Sequence, residues 1–222
     1  MGIPLHQNVN AINNVNMSNA ATRRRAATLD RIAEEALALV AESGIDGLTM
    51  SALAKRVDYT APALYRYVPS KGALIAELNR RILAEHRARL ATAWADGPTP
   101  TVALERAAVE LIRHAAEQPQ AFGVVAITLG DPRRLVEDDA PAHMLELVGL
   151  IGDIARQLSA ATEAGELTAG EPRERAVRWL FALFGTLPLA KLSRFDPRLA
   201  PERVTLALAH DLLAAWSTGG SR

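Results

Sequence analysis

From Arg23 to Trp216 the apolar residues recur three and four positions apart, and nowhere do they settle into the every-second-residue alternation of a half-buried strand. Leu29, Ile32, Ala33, Ala36, Leu37 and Val40 form the first such stripe, the mark of a helix with one inner face. Glycine and proline then interrupt the pattern at Gly44 and Gly47, Gly97-Pro98, Asp131-Pro132, Gly170 with Pro172, and Asp196-Pro197. These residues stop helices, glycine by accepting a left-handed turn and proline by lacking an N–H. The leading helix therefore gives way to helices at about 49–57, 61–68, 71–95, 101–117, 119–129, 140–164, 172–193 and 201–216. Thr49 and Ser70 stand where caps belong. The expected class is all-α, and the absence of a fixed repeat excludes a solenoid.

The chain of 222 residues can bury one large domain, or a small domain joined to a larger one. Residues 1–20 hold six asparagines and no Lys, Arg, Asp or Glu, so they are expected to form a disordered arm, with Met17 as an alternative start. They contain neither a basic leader nor an apolar run of signal-peptide length. The most apolar stretch, "WLFALFGTLPLAKL" at 179–192, is too short to span a bilayer and contains Pro188. With no cysteine, disulfides and thiolate metal sites are excluded. A cytoplasmic location is the expectation.

Charge is balanced overall but not along the chain. Thr22 to Thr92 holds 12 Lys/Arg against 8 Asp/Glu, a net of +4, and the remainder carries −4. The first part is thus the one suited to a polyanion.

That part contains "TMSALAKRVDYTAPALYRYVPSKGAL", residues 49–74. On its first helix Leu53, Ala54 and Val57 face inward; Asp58-Tyr59-Thr60 makes a turn; on the second, Ala61, Leu64 and Val68 share one side. Pro62 and Arg66 point away, with Ala63, Tyr65 and Tyr67 on the shoulders. Two short helices joined by a three-residue turn, the second polar and aromatic outward, describe a helix-turn-helix. Proline costs little in the first turn of a helix, where the N–H groups have no intrahelical partner. A recognition helix enters the major groove through its N-terminal residues, here Thr60 to Ala63. Arg66 has the geometry to pair with guanine O6 and N7, and the tyrosine hydroxyls can donate to phosphates. Lys71, with the N–H groups near Ser70, offers an anion site, and Arg23, Arg24 and Arg25 form a basic arm.

Residues 23–85 resemble the DNA-binding domain of the TetR family of bacterial transcriptional regulators. The likeness rests on "AESGIDGLTM", "LAKRV" and above all "APALYRYVPSKGALI", with Leu64, Tyr65, Val68, Lys71 and Leu74 in register. The resemblance implies that the helix from Thr60 reads DNA, that Thr49 and Met50 approach phosphate, and that Ala61, Pro62, Ala63, Tyr65, Arg66, Tyr67 and Lys71 occupy contact positions. The family often has glycine where this chain has Asp58, a residue that tolerates the left-handed conformation. The implied organisation is an arm at 1–20, a helix-turn-helix domain at 21–70, a connecting helix at 71–95, and a helical effector-binding and dimerisation domain at 96–218.

The resemblance further implies a homodimer on a palindromic operator and an unidentified small-molecule effector, in a regulator that is most often a repressor. For the dimer, 172–193 offers Val177, Leu180, Phe181 and Phe184, and 201–216 offers Val204, Leu208, Leu212 and Trp216. From residue type, His114, Phe122, Val125, Leu129, Met144, Trp179 and Phe184 are candidates to line an effector pocket. The five histidines are scattered, and His143 with Glu146 is a pair too small to hold a metal. No phosphate loop, nucleophile elbow or paired carboxylates are visible, so neither an enzyme nor a cofactor is expected. A helical small-molecule-binding or scaffold protein that does not bind DNA is the alternative.

Overall fold

A computed structural model describes the backbone of residues 6–130 and 141–217 and the side chains of residues 20–129 and 144–217. Ten α-helices follow in the described residues: α1 (His6–Gly47), α2 (Met50–Arg56), α3 (Ala61–Tyr65), α4 (Lys71–Ala95), α5 (Pro100–Glu117), α6 (Pro119–Gly130), α7 (Pro141–Glu163), α8 (Pro172–Phe184), α9 (Leu189–Leu192) and α10 (Pro201–Ala215). Among the described residues the extended pairing is limited to an isolated antiparallel bridge between Leu167 and Ser217. No described helix is long and apolar enough to cross a membrane. The fold is all-α.

The chain divides into a first unit, residues 1–74, and a second, residues 75–222. In the first, Ile32, Ala36 and Val40 of α1, Leu53 and Ala54 of α2 with Val57 just after it, and Leu64 of α3 with Val68 beyond it are all buried, and α2 packs on both α1 and α3. These are the inner faces that the three- and four-residue spacing requires. In the second unit α7 packs on α8, and α5 packs on α7 and α10. Its core includes Leu104, Leu111, Leu150, Ile154, Trp179, Leu183 and Leu213.

Three elements differ from the sequence-based reading. Helix α1 starts at His6, inside the stretch expected to be a disordered arm. Adding turns to an existing helix needs one hydrogen bond per residue and no fresh nucleation, so a polar segment can extend it without a buried face. The helix expected at 172–193 ends at Phe184 and resumes as α9 after a turn. Pro188 cannot donate to Phe184, and its ring would clash with that residue's carbonyl. Helix α3 ends at Tyr65 rather than Val68, because Pro69 disfavours helical geometry at the residue before it. Around Asp131-Pro132 the expected break lies outside the described residues.

Candidate nucleic-acid interface

The two short helices of the motif are fixed at their starts by threonines. Thr49 is extended (φ −114°, ψ 150°) and its hydroxyl oxygen accepts from the Ala52 N–H at 3.1 Å. Thr60 repeats this before α3, accepting from the Ala63 N–H at 3.4 Å. Between them Asp58 adopts φ +58°, the left-handed geometry that reverses the chain. The Tyr59 N–H then reaches back to the Ala54 carbonyl at 2.9 Å. Asp58 thus fills the place where a glycine would be least strained.

Helix α3 turns Leu64 wholly inward, with Val68 just beyond it, while Thr60, Pro62, Tyr65 and Arg66 are exposed. Tyr65 keeps 47% of its surface in solvent. Thr49 is exposed at the start of α2, and Met50, Ala61, Ala63, Tyr67 and Lys71 are half-buried. Arg66 caps α3 at φ −71°, ψ −22°, and its side chain remains outward. The expected contact residues therefore lie at the starts of α2, α3 and α4 and on or just after α3.

Two of those residues are already engaged. The Lys71 ammonium donates to the Ile45 carbonyl at 2.7 Å, closing the C-terminal end of α1. The Tyr67 ring stacks on Tyr59 at 5.7 Å, with planes 14° apart, and the Arg25 guanidinium lies 5.2 Å from its centre. Arg25 also donates to the Arg66 carbonyl at 3.3 Å. Farther along α1, Arg31 pairs with Asp58 at 2.9 Å, while Glu35 and Glu42 hold Arg56 at 2.7 and 2.6 Å. The hydrogen bond from Arg56 keeps the Glu42 carboxyl below its ordinary pKa range, and the two carboxylates raise that of Arg56.

In the second unit the residues proposed for an effector pocket separate into two groups. His114 and Phe122 are buried with ring centres 4.9 Å apart, and Phe184 lies 6.5 Å from Phe122. Val125 and Trp179 are buried as well. Leu129 and Met144 are exposed, 37% and 47%. The cluster gains a member that spacing did not suggest: His86 Nδ1 sits 3.3 Å from His114 Nδ1, both rings buried. Desolvation, then the neighbouring His114, pushes the pKa of His86 down to about 3. His114 is also lowered, first by desolvation and then by Arg89, although Glu85 accepts within 3.2 Å of its Nε2. Glu146 pairs with Arg87 at 2.8 Å, and Arg87 also binds Asp153 at 2.8 Å; the side chain of His143 lies outside the described residues. Among the described residues no group of three His, Asp or Glu could hold a metal ion.

Residues 32–78, which include the whole helix-turn-helix, match the family model of bacterial regulatory proteins, tetR family. This region is thus similar to the DNA-binding domain of the TetR family. Tetracycline repressor protein class D of Escherichia coli is 42% identical over 57 residues, covering 26% of this chain and 26% of that protein. This chain thus matches about a quarter of that relative's length. The likeness in fold extends much further. The TetR-family transcriptional regulator PfmR from Thermus thermophilus superposes with a TM-score of 0.65 at 20% identity, over 82% of this chain and 97% of that one. AibR, solved in complex with isovaleryl coenzyme A and operator DNA, gives 0.63 at 19% identity, over 84% and 98%.

The helix-turn-helix motif is readable from local spacing, but its supports are not. Arg25, Arg31, Glu35 and Glu42 meet residues 14 to 41 positions away. A basic triplet and a pair of glutamates on one helix carry no local sign of those partners. His86 escaped for the same reason, since His114 lies on another helix.

Proposed function

We propose that this chain is a ligand-responsive transcriptional regulator that binds a palindromic operator as a homodimer and acts as a repressor. The observation that carries the reading is the polarity of α3. Its Leu64 side is buried, and its Pro62, Tyr65 and Arg66 side is open to solvent in a unit matching the TetR-family domain. Thr49, Met50, Thr60 and Tyr65 position the motif on phosphates, Arg66 reads a base edge, and Ala61, Pro62 and Ala63 permit close approach in the major groove. The Lys71 ammonium has two further N–H groups for a phosphate while it holds Ile45.

Dimerisation through α8 and α10 is supported by the apolar surface those helices leave uncovered. Val177 and Phe181 are 40% and 45% exposed on α8, and Leu206 is 39% exposed on α10. Phe184, Val204, Leu208, Leu212 and Trp216 are half-buried, whereas Leu180 is spent in the chain's own core. A two-fold axis would set two recognition helices about 34 Å apart on successive major grooves. The effector site is assigned to the second unit around His86, His114, Phe122 and Phe184, where aromatic and polar groups converge. AibR, whose structure holds both an acyl-coenzyme A and operator DNA, is the precedent for joining the two functions in this fold. An effector that binds one dimer shape better than another shifts the population toward it.

Selection of bound duplexes from a random pool tests the reading. A palindromic product with affinity that falls steeply with salt is the expected result. Failure to enrich any duplex, with small-molecule binding retained, would leave a helical binding protein instead.

A further inference from the structure

We propose that Arg25 and Arg31 of α1 act as a bracket that fixes the orientation of α3 from both of its ends. This rests on the DNA-reading function proposed above. The two arginines are six residues apart on one helix, yet their partners flank α3 on opposite sides. Arg31 holds Asp58, the left-handed residue of the turn that leads into α3, at 2.9 Å. Arg25 holds the exit, donating to the Arg66 carbonyl at 3.3 Å and covering the Tyr67 ring at 5.2 Å. Tyr67 in turn stacks on Tyr59, the neighbour of Asp58, so the two ends of α3 are joined through a pair of rings.

A helix of five residues has need of such a device. Its intrahelical hydrogen bonds are few, and its one wholly buried side chain, Leu64, sets its depth without fixing its rotation. Rotation is what decides where Arg66 and Tyr65 point. A planar guanidinium stacked on an aromatic ring restrains that rotation, and a lysine cannot reproduce the stack and the carbonyl contact together. Arg25 is accordingly a positioning residue for recognition, and of the triplet Arg23–Arg25 only the first two are assigned to phosphate.

The bracket makes predictions that a phosphate contact does not. In the free full-length chain, Arg25→Ala should speed amide exchange at Tyr67 and Val68, whose N–H groups both bond to the Leu64 carbonyl. Affinity for the selected duplex should fall roughly fivefold, the size expected for one cation–π contact. The slope of log affinity against log salt should stay unchanged, and Arg25→Lys should recover only part of the loss. Combined with Tyr67→Ala, the Arg25→Ala loss should not add, because both remove the same contact. A salt slope reduced by about 0.9, full rescue by lysine and additive losses would make Arg25 a phosphate contact and overturn the bracket. Unchanged amide exchange would overturn it too, even with DNA binding impaired. A wild-type chain that enriches no duplex would instead sink the proposed function, and this role with it.

Discussion

The two units use their polar residues in opposite ways. In the first, ionic and aromatic groups stay at the surface: Arg25, Arg31 and Asp58 are exposed, and they tie short helices together from outside. In the second, polar groups go inside. His86, Glu110, His114, Asp153, Thr186 and Thr205 are all buried, and the two threonine hydroxyls meet at 2.6 Å. Exposed ties are weak individually, about 0–1 kcal/mol. They suit a unit that rests mainly on its apolar core and leaves the outer face of α3 open. Buried polar groups cost free energy unless each is partnered, so they specify one arrangement and make it responsive to whatever changes a partner.

The sharpest way to break this comparison is to remove the apolar core of the first unit. Leu64→Ala deletes a side chain with no solvent exposure and should cost about 2–5 kcal/mol. Amide exchange should rise throughout residues 20–74 while the second unit stays protected, and duplex binding should vanish. Comparable loss of protection in both units would mean that they unfold together.

Mild acid is the next test, because between pH 6.5 and 4.5 it should act mainly on the second unit. Residues 20–74 contain no histidine. His86 and His114 are held neutral by burial, their folded-state pKa values lying below the ordinary 6.5. Below pH 6.5 the unfolded chain takes up protons that the folded chain refuses, so this stability is present above 6.5 and is lost as pH falls. For His86 the loss continues toward the folded pKa of about 3. Each histidine should contribute a slope of up to about 1.4 kcal/mol per pH unit. The window from 6.5 to 4.5 isolates them, since the carboxylates lowered by arginine, Glu77 and Glu117 among them, begin to add only below 4.5. Denaturant midpoints for wild type and His86→Phe should diverge as pH drops, with the variant less acid-sensitive; parallel curves would contradict the assignment.

A smaller effect sharpens the first unit's side of the contrast. Arg66→Ala should leave the thermal midpoint almost unmoved and cost about 1–3 kcal/mol of discrimination at particular base positions. Equal losses on selected and random duplexes would contradict its role in base reading. Smallest is the turn. Asp58→Ala should destabilise by about 1 kcal/mol, because an alanine Cβ at φ +58° has no local hydrogen bond to offset the strain. Asp58→Gly should be neutral to slightly stabilising, since it relieves the strain and loses only the exposed pair with Arg31. A glycine variant clearly less stable than the wild type would show that the ion pair outweighs the backbone.

How much was legible depends on how far apart the interacting residues lie in the chain. Helix α4 appears over Lys71–Ala95, the range that periodicity marks, and Leu53, Ala54, Val57, Leu64 and Val68 are buried as their spacing requires. Asp58 adopts the left-handed turn that its place in the motif demands. The break after Phe184 is locally encoded by Pro188, although the apolar run on both sides of it continues the helical spacing.

Reading the effector side from residue type could not separate buried His114 and Phe122 from exposed Leu129 and Met144. An apolar residue belongs as readily to a core as to a surface patch until its neighbours are known. Helix periods, caps, turn chemistry and the helix-turn-helix were thus determined by the sequence itself, because each depends on residues within a few positions of one another. The pairing of His86 with His114, the engagement of Lys71 by Ile45 and the hold of Arg25 on Tyr67 were decided only by the tertiary structure. Each joins groups that are 26 to 42 residues apart, and nothing local in either partner encodes the other.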